Sequence, residues 1–512
     1  MIAAPTSPLA SMRALLAFVA LLLAYRLWAL DHAGISLFFD EAQYWEWSRQ
    51  LEWGYYSKPP LIAALIRLST ALFGDGLIGV KLLTMLLYPA SVLLLVALAR
   101  ALWPGDAGGR TGLAAAALFM SLPMTGLLGL FATTDAPLIF CWALAAWALW
   151  QAQRSDRLHY WLLCGLACGL GLLAKYTMAA FALTALWAIF FMPGPRRGVW
   201  RPGPWLTAAV ALLLLAPNLW WNYQNDFPTL AHTAEITTAS TRGGGVLAAL
   251  AFLAGQVLML GPVTVVGALW LARRGGEGIA NDGDGYRYLW AMSLPLQLIA
   301  VAQSLHASAH VNWAAPSLLG FCLLAAACLR PPRQNPAPGT GARWLALALV
   351  TNLLLAAVVL HLRDFVGPGL PSKLDVLVRM RGWDQAFAEL APVLREPAAQ
   401  RLPVLTDQRL LITHAAYQWR DQHPVLLMWN PEQRRQNHYE LTRSLPDLPG
   451  QDVLLLSDHP QPHSITSRFA SASLLRSVRV EVGPGRALEL HLLLLKGFLG
   501  YGKTPASGAG KP

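Results

Sequence analysis

The first loop after an N-terminal apolar run holds the densest set of chemically useful groups. Phe39-Asp40-Glu41-Ala42-Gln43-Tyr44-Trp45-Glu46-Trp47 places two adjacent carboxylates at the start of a short helical pattern. Asp40 fits the helix cap and Glu41 its first turn. Tyr44, Trp45 and Trp47 suit anchoring at a membrane interface. Gly54-Tyr55-Tyr56-Ser57-Lys58-Pro59-Pro60 then breaks the helix, and a second amphipathic helix is expected over 61–73, ending at Gly74. Acids close to a membrane, followed in the same loop by a lysine on rigid backbone, read as a reactive site rather than as a solvated helix cap.

Three further patches supply polar groups. Thr134-Asp135-Ala136-Pro137 is a tight turn in which Asp135 serves equally as a helix cap or as a site acid. Leu173-Ala174-Lys175-Tyr176 puts Lys175 near an interface, where it snorkels to headgroups or meets a lipid phosphate. His306 and His310 stand four residues apart, the spacing of a metal pair on a helix. No Glu follows His306 as in His-Glu-x-x-His, so a polar wall facing a substrate is preferred; no cofactor is assigned, and a divalent metal stays open. Two patterns are rejected. Gly497 to Thr504 matches a phosphate loop in spelling, but too little chain follows to make its helix. Gly165, Gly169 and Gly171 suit close helix packing better than dinucleotide binding.

These residues must be held by membrane-spanning elements. The 512-residue chain is 55% hydrophobic and only 13% charged, against about 25% charged in soluble domains. Runs of roughly 20 apolar residues span a bilayer. Eleven are read, near 12–30, 77–99, 111–131, 135–152, 159–174, 176–192, 205–221, 246–271, 288–304, 311–329 and 344–362. The first reads as a signal anchor, because Arg26, Leu27 and Trp28 replace a cleavage site. One set of loops carries fourteen basic and five acidic residues, the other seven basic and nine acidic. The positive-inside rule therefore puts the N-terminus in the cytoplasm, and an odd number of spans puts the C-terminus outside. The net charge of +11 is thus mainly topology, with no nucleic-acid partner called for. The five cysteines all lie in apolar runs and build no disulfide framework. Short strand-like runs at 403–406, 424–429, 452–456, 477–482 and 487–495, with a helical pattern at 408–420, suggest a second domain outside the membrane. The expected fold is a membrane all-α bundle of about eleven transmembrane helices, residues 1–362, with interfacial helices in the first outer loop. A small α/β domain, 363–498, and a flexible tail, 499–512, follow.

The arrangement resembles the GT-C class of polytopic glycosyltransferases, closest to its bacterial ArnT-like and protein O-mannosyltransferase-like members. The resembling residues are Asp40-Glu41-Ala42-x-Tyr44, Gly54-Tyr55-Tyr56-Ser57-Lys58-Pro59-Pro60-Leu61, Thr134-Asp135-Ala136-Pro137, Leu173-Ala174-Lys175-Tyr176 and His310-Val311-Asn312-Trp313. The resemblance covers about residues 10–362. It implies inverting transfer of one sugar from a polyprenyl-phosphate donor, undecaprenyl phosphate in a bacterium, to an envelope glycolipid, glycan or protein at the outer face of the inner membrane. It implies that Asp40 is the catalytic carboxylate, that Lys58 contacts donor phosphate and that Asp135 is a second acidic site residue. Lys175 and His310 are expected to help with the phosphate, and Glu41, Tyr44 and Tyr56 to line the substrate site. The chain departs at Gln43, where the lipid A aminoarabinose transferases usually carry Arg, so the resemblance implies the chemistry rather than that acceptor and aminosugar. The competing class is a lipid or glycan transporter or flippase, which polytopic character and intramembrane charge suit as well. No internal repeat supports it, and the candidate charges cluster at one face.

Overall fold

A computed structural model describes residues 8–104, 106–191, 200–238, 243–273, 283–329, 340–367, 369–397 and 399–502. Residues 330–339 between the last two apolar runs, most of the C-terminal tail, and the loop arginines Arg196, Arg197, Arg274, Arg330 and Arg333 lie outside the described residues. So do Lys503 and Thr504 of the rejected phosphate-loop pattern. The chain divides into two compact units, one of Met1–Leu30 with Lys58–Leu360, the other of Asp31–Ser57 with His361–Pro512.

The first unit is helical and multi-pass. Five helices are long and apolar enough to cross a bilayer: Met12–His32, Leu77–Leu102, Pro202–Gln224, Gly283–His306 and Thr340–Val366. Val246–Leu260 and Pro262–Arg273 form a sixth candidate bent by 90°. The bend has a covalent cause: Gly261 takes a φ of +89° and Pro262 has no N–H to continue the ladder. Similar breaks divide other apolar runs. Pro123 separates Asp106–Ser121 from Pro123–Leu128, and Pro316 separates a 3-10 turn, Val311–Ala314, from Ser317–Cys328. The run after Lys175 starts as a 3-10 turn, Tyr176–Ala180, before Phe181–Phe191.

Small residues let these helices approach closely. A Cβ on Gly165 would sit 2.8 Å from the Thr207 carbonyl oxygen, and one on Gly169 would sit 3.2 Å from the Ala211 Cα. Leu158–Ala174 therefore packs backbone to backbone on Pro202–Gln224, the packing role expected of these glycines. Two cations counted with the loops are buried inside helices instead. Arg26 donates to the Met120 carbonyl at 3.2 Å, and Lys81 to the Leu130 carbonyl at 3.1 Å.

The second unit is built on a five-stranded mixed sheet. Its strands are β1 (Val404–Thr406), β2 (Leu426–Met428), β3 (Val453–Ser457), β4 (Phe469–Gly483) and β5 (Arg486–Phe498), in the order β2-β1-β3-β5-β4. β1 pairs in parallel with β2 and β3, while β5 runs antiparallel to β3 and β4. β4 starts eight residues before the apolar run that signals it, because residues 470–477 are almost all exposed and show no buried face. The hairpin turns at Pro484-Gly485, with Gly485 at φ +62°. Trp383, Phe387, Trp419, Leu454 and Leu490 fill one side of the sheet. The helix Phe39–Arg49 packs within this unit on the helix Arg409–Gln418, with Trp45 and Tyr417 edge to face at 5.2 Å.

Candidate active site

The candidate residues fall into two polar clusters, one in each unit. In the second unit, the helix Phe39–Arg49 starts two residues earlier than a cap at Asp40 implies. Its cap is Phe38, whose N–H is accepted by the Glu41 carboxylate at 2.9 Å. Glu41 therefore satisfies the helix end, and Asp40 lies in the first turn rather than at the cap. The two neighbouring acids differ in access: Glu41 is 1% exposed, whereas the Asp40 side chain is 37% exposed.

Arg409, the first residue of its helix, closes on Asp40. Its guanidinium pairs with Asp40 Oδ1, bonds Gln43 Oε1 through Nε at 2.9 Å, and lies over the Phe39 ring at 5.1 Å. Among the described residues Asp40 Oδ2 has no hydrogen-bond partner. Gln43, the position of departure from the aminoarabinose transferases, is thus joined to an arginine after all, one brought from 366 residues along the chain. Sequence reasoning missed Arg409, since no local pattern marks it.

A second missed group lies one turn further along the helix. Glu46 is buried and accepts from the Tyr439 hydroxyl and from Arg443. Burial pushes its carboxyl up, with Arg443 and Tyr439 pulling it partly back. Trp47 stacks on Tyr55 at 4.4 Å, and His438 meets both rings edge-on. Burial, then the Arg443 and Arg409 charges, lower His438 to about 3, so this ring is neutral. Tyr44 is buried against Trp47, with ring centroids 5.3 Å apart, and Tyr56 is buried.

In the first unit three element ends converge. Asp135 opens the helix Asp135–Ser155, Lys175 ends Leu158–Ala174, and Asn312 lies in the 3-10 turn. Lys175 Nζ is 2.8 Å from Asp135 Oδ1, and Asn312 Nδ2 donates to Oδ2 at 2.9 Å. The Asp135 side chain is only 5% exposed, so both oxygens are compensated as a buried charge requires. Asp135 is thus a buried ion-pair acid and makes no side-chain cap. Beside Lys175, the Tyr176 hydroxyl donates to Asn218 at 2.7 Å and accepts from Asn222. Gln297 bonds both Gln256 and Ser317, and Gln256 bonds the Val311 carbonyl, which braces the turn carrying Asn312. Lys58 is half-buried where the second segment of this unit begins.

His310 is exposed beside Trp313, with ring centroids 5.6 Å apart. Its helical i,i+4 pairing with His306 does not exist: Gly283–His306 ends at His306, and residues 308–310 are irregular. A metal pair there loses its geometric basis.

Comparison with known proteins gives the site its context. The family described as dolichyl-phosphate-mannose-protein mannosyltransferase matches residues 57–221, which include Lys58, Asp135 and Lys175. The lipid A galacturonosyltransferase RgtD of Rhizobium johnstonii is 30% identical over 446 residues, 86% of this chain and 90% of that protein. The undecaprenyl phosphate-alpha-4-amino-4-deoxy-L-arabinose arabinosyl transferase of Pseudomonas aeruginosa is 37% identical over 167 residues, 31% of this chain and 29% of that protein. The crystal structure of ArnT from Cupriavidus metallidurans bound to undecaprenyl phosphate shares the fold, with a TM-score of 0.64 at 19% identity over 94% of this chain and 97% of that one. The near full-length relative shows the family and the solved structure shows the fold: the chain is a multi-pass membrane glycosyltransferase belonging to the ArnT-like family of the GT-C class.

Proposed function

We propose that the protein transfers a sugar, with inversion, from undecaprenyl phosphate to a lipid A-type glycolipid at the outer face of the bacterial inner membrane. The near full-length match to a lipid A galacturonosyltransferase carries this reading, and the unequal environments of Asp40 and Glu41 support Asp40 as the base. The acceptor hydroxyl is a poor nucleophile until its proton is taken. Asp40 Oδ2 takes that proton while Arg409 holds Oδ1 and fixes the carboxylate. The acceptor oxygen bonds the anomeric carbon, the carbon–phosphate oxygen bond breaks, and the lipid phosphate leaves with the electron pair. Lys58 neutralises that phosphate, and Lys175 and His310 donate hydrogen bonds to it. Asp135 and Tyr56 orient sugar or acceptor hydroxyls. Glu41 and Tyr44 act one step back, by fixing the helix that carries Asp40.

The proposal places the N-terminus in the cytoplasm and residues 363–498 in the periplasm, with eleven spans between them. The fourteen-to-five basic excess of one loop set supports it. Purified protein in detergent, given undecaprenyl-phosphate-linked galacturonic acid and lipid A, is expected to release undecaprenyl phosphate and glycosylated lipid A. Mass spectra of lipid A from cells with and without the protein should differ by one sugar. Identical spectra, with transfer to another envelope glycan, would move the acceptor and leave the chemistry standing.

A further inference from the structure

We infer that His32, His361 and Asp364 form a zinc site, separate from the sugar-transfer residues. His32 is the last residue of Pro8–His32, and His361 and Asp364 lie in the last turns of Thr340–Val366. His361 and Asp364 are i,i+3 and share a helix face. His32 Nε2 is 3.3 Å and His361 Nδ1 is 2.8 Å from the same oxygen, Asp364 Oδ2. All the ligand atoms lie within 4.8 Å of one another, and among the described residues this is the one such group of three.

The spacing and the donors both point to zinc. With bonds of about 2.0–2.1 Å, a tetrahedral zinc site has ligand–ligand edges of about 3.3 Å. Two imidazoles and one carboxylate are a borderline-soft set that suits zinc and not calcium or magnesium, which take oxygen. Water completes the tetrahedron. The His32 and Asp364 side chains are 47% and 49% exposed and His361 14%, so an ion reaches the site from solvent and is then partly sheltered. Binding needs neutral imidazoles and so releases any proton they hold. The ion joins the ends of the first and last helices long enough to span a membrane, which predicts a stabilising rather than a catalytic role.

The test uses full-length, tag-free protein in detergent, stripped with EDTA, desalted and exposed to zinc chloride alone. One zinc per chain by elemental analysis and a raised melting temperature are expected. Cobalt chloride alone should give the intense visible absorption of a tetrahedral site. Asp364→Asn keeps size and hydrogen bonding, and is expected to lose the cobalt band and the zinc-dependent rise while keeping sugar transfer. His32→Ala with His361→Ala should bind no zinc. If the double variant does not fold, the Asp364→Asn spectrum decides alone. Zinc that fails to bind the wild type, or that still binds in these variants with an unchanged cobalt band, overturns the site. Neither outcome touches the transferase reading, whose measure is sugar transfer.

Discussion

Asp40 and Glu41 are chemically equivalent neighbours on one helical turn, and their surroundings separate them. Glu41 is buried and spent on the Phe38 N–H, while Asp40 keeps one oxygen open and the other on Arg409. Asp40→Asn removes the base and preserves the shape, so turnover should fall by about 10²–10⁴-fold, with donor binding intact. Near-normal turnover of that variant in a detergent assay would sink the assignment. Asp135 belongs to a different electrostatic setting. Lys175→Met leaves a carboxylate 5% exposed with Asn312 alone, which should cost about 3–5 kcal/mol. Adding Asp135→Asn should recover most of that loss, and melting temperatures of the two single variants and the double variant measure it; strictly additive losses would mean that the pair is uncoupled. Asp40, Asp135 and Lys175 are legible in the sequence as candidates because each sits in a short polar motif between apolar runs. Their partners are not: Lys175 is 40 residues from Asp135, Asn312 is 177 away, and Arg409 is 369 residues from Asp40. Pairings at such distance are fixed by tertiary structure, and one sequence holds no record of them.

At the scale of elements, glycine and proline decide where helices meet and where they stop. Gly165 sits where a Cβ would strike the Thr207 backbone, whereas Gly109 faces open space. Gly165→Leu should therefore destabilise by about 1–3 kcal/mol through overpacking. Gly109→Ala, in a helix interior with room for the methyl, should stabilise by roughly 0.5–1 kcal/mol. Opposite shifts in melting temperature are the expected result; equal shifts would show that Gly165 is not at a close contact. The packing role of the glycines was readable from the small-xxx-small spacing inside an apolar run. The helix over 61–73 was readable to the residue, because its apolar periodicity runs from Pro60 to Gly74 without interruption. The span lengths were less so. Hydropathy sees the runs at 111–131, 246–271 and 311–329 as continuous, but Pro123, Gly261-Pro262 and Pro316 break the hydrogen-bond ladder inside them.

For the molecule as a whole, chain order and spatial order diverge. Residues 31–57 group with 361 onward, although more than 300 residues intervene. Contiguity in the sequence instead suggests grouping them with the helices that flank them. This second unit buries histidines that cannot charge without cost. His414 is fully buried, stacked on Trp383 at 3.7 Å, with neither ring nitrogen partnered among the described residues, and burial lowers it to about 3. His438 is lowered to about 3 as well. Both folded values lie below the ordinary value near 6.5, so the stability they confer is complete above that pH. It drains away as the pH falls, because only the unfolded chain takes up the protons. The slope is about 1.4 kcal/mol per pH unit for each ring. Glu46 works in the opposite sense. Its raised carboxyl favours the folded state at low pH and loses that advantage as the pH rises from the ordinary carboxylate range through the raised value, so one carboxyl opposes two rings. Between pH 6.5 and 5.5 the histidines dominate, and the apparent melting temperature should drop. His414→Phe keeps a flat ring on Trp383 and removes one of the two protons, so its drop over that interval should be about half that of the wild type. A variant whose melting temperature falls as steeply as the wild type would place the acid sensitivity elsewhere than in this buried ring.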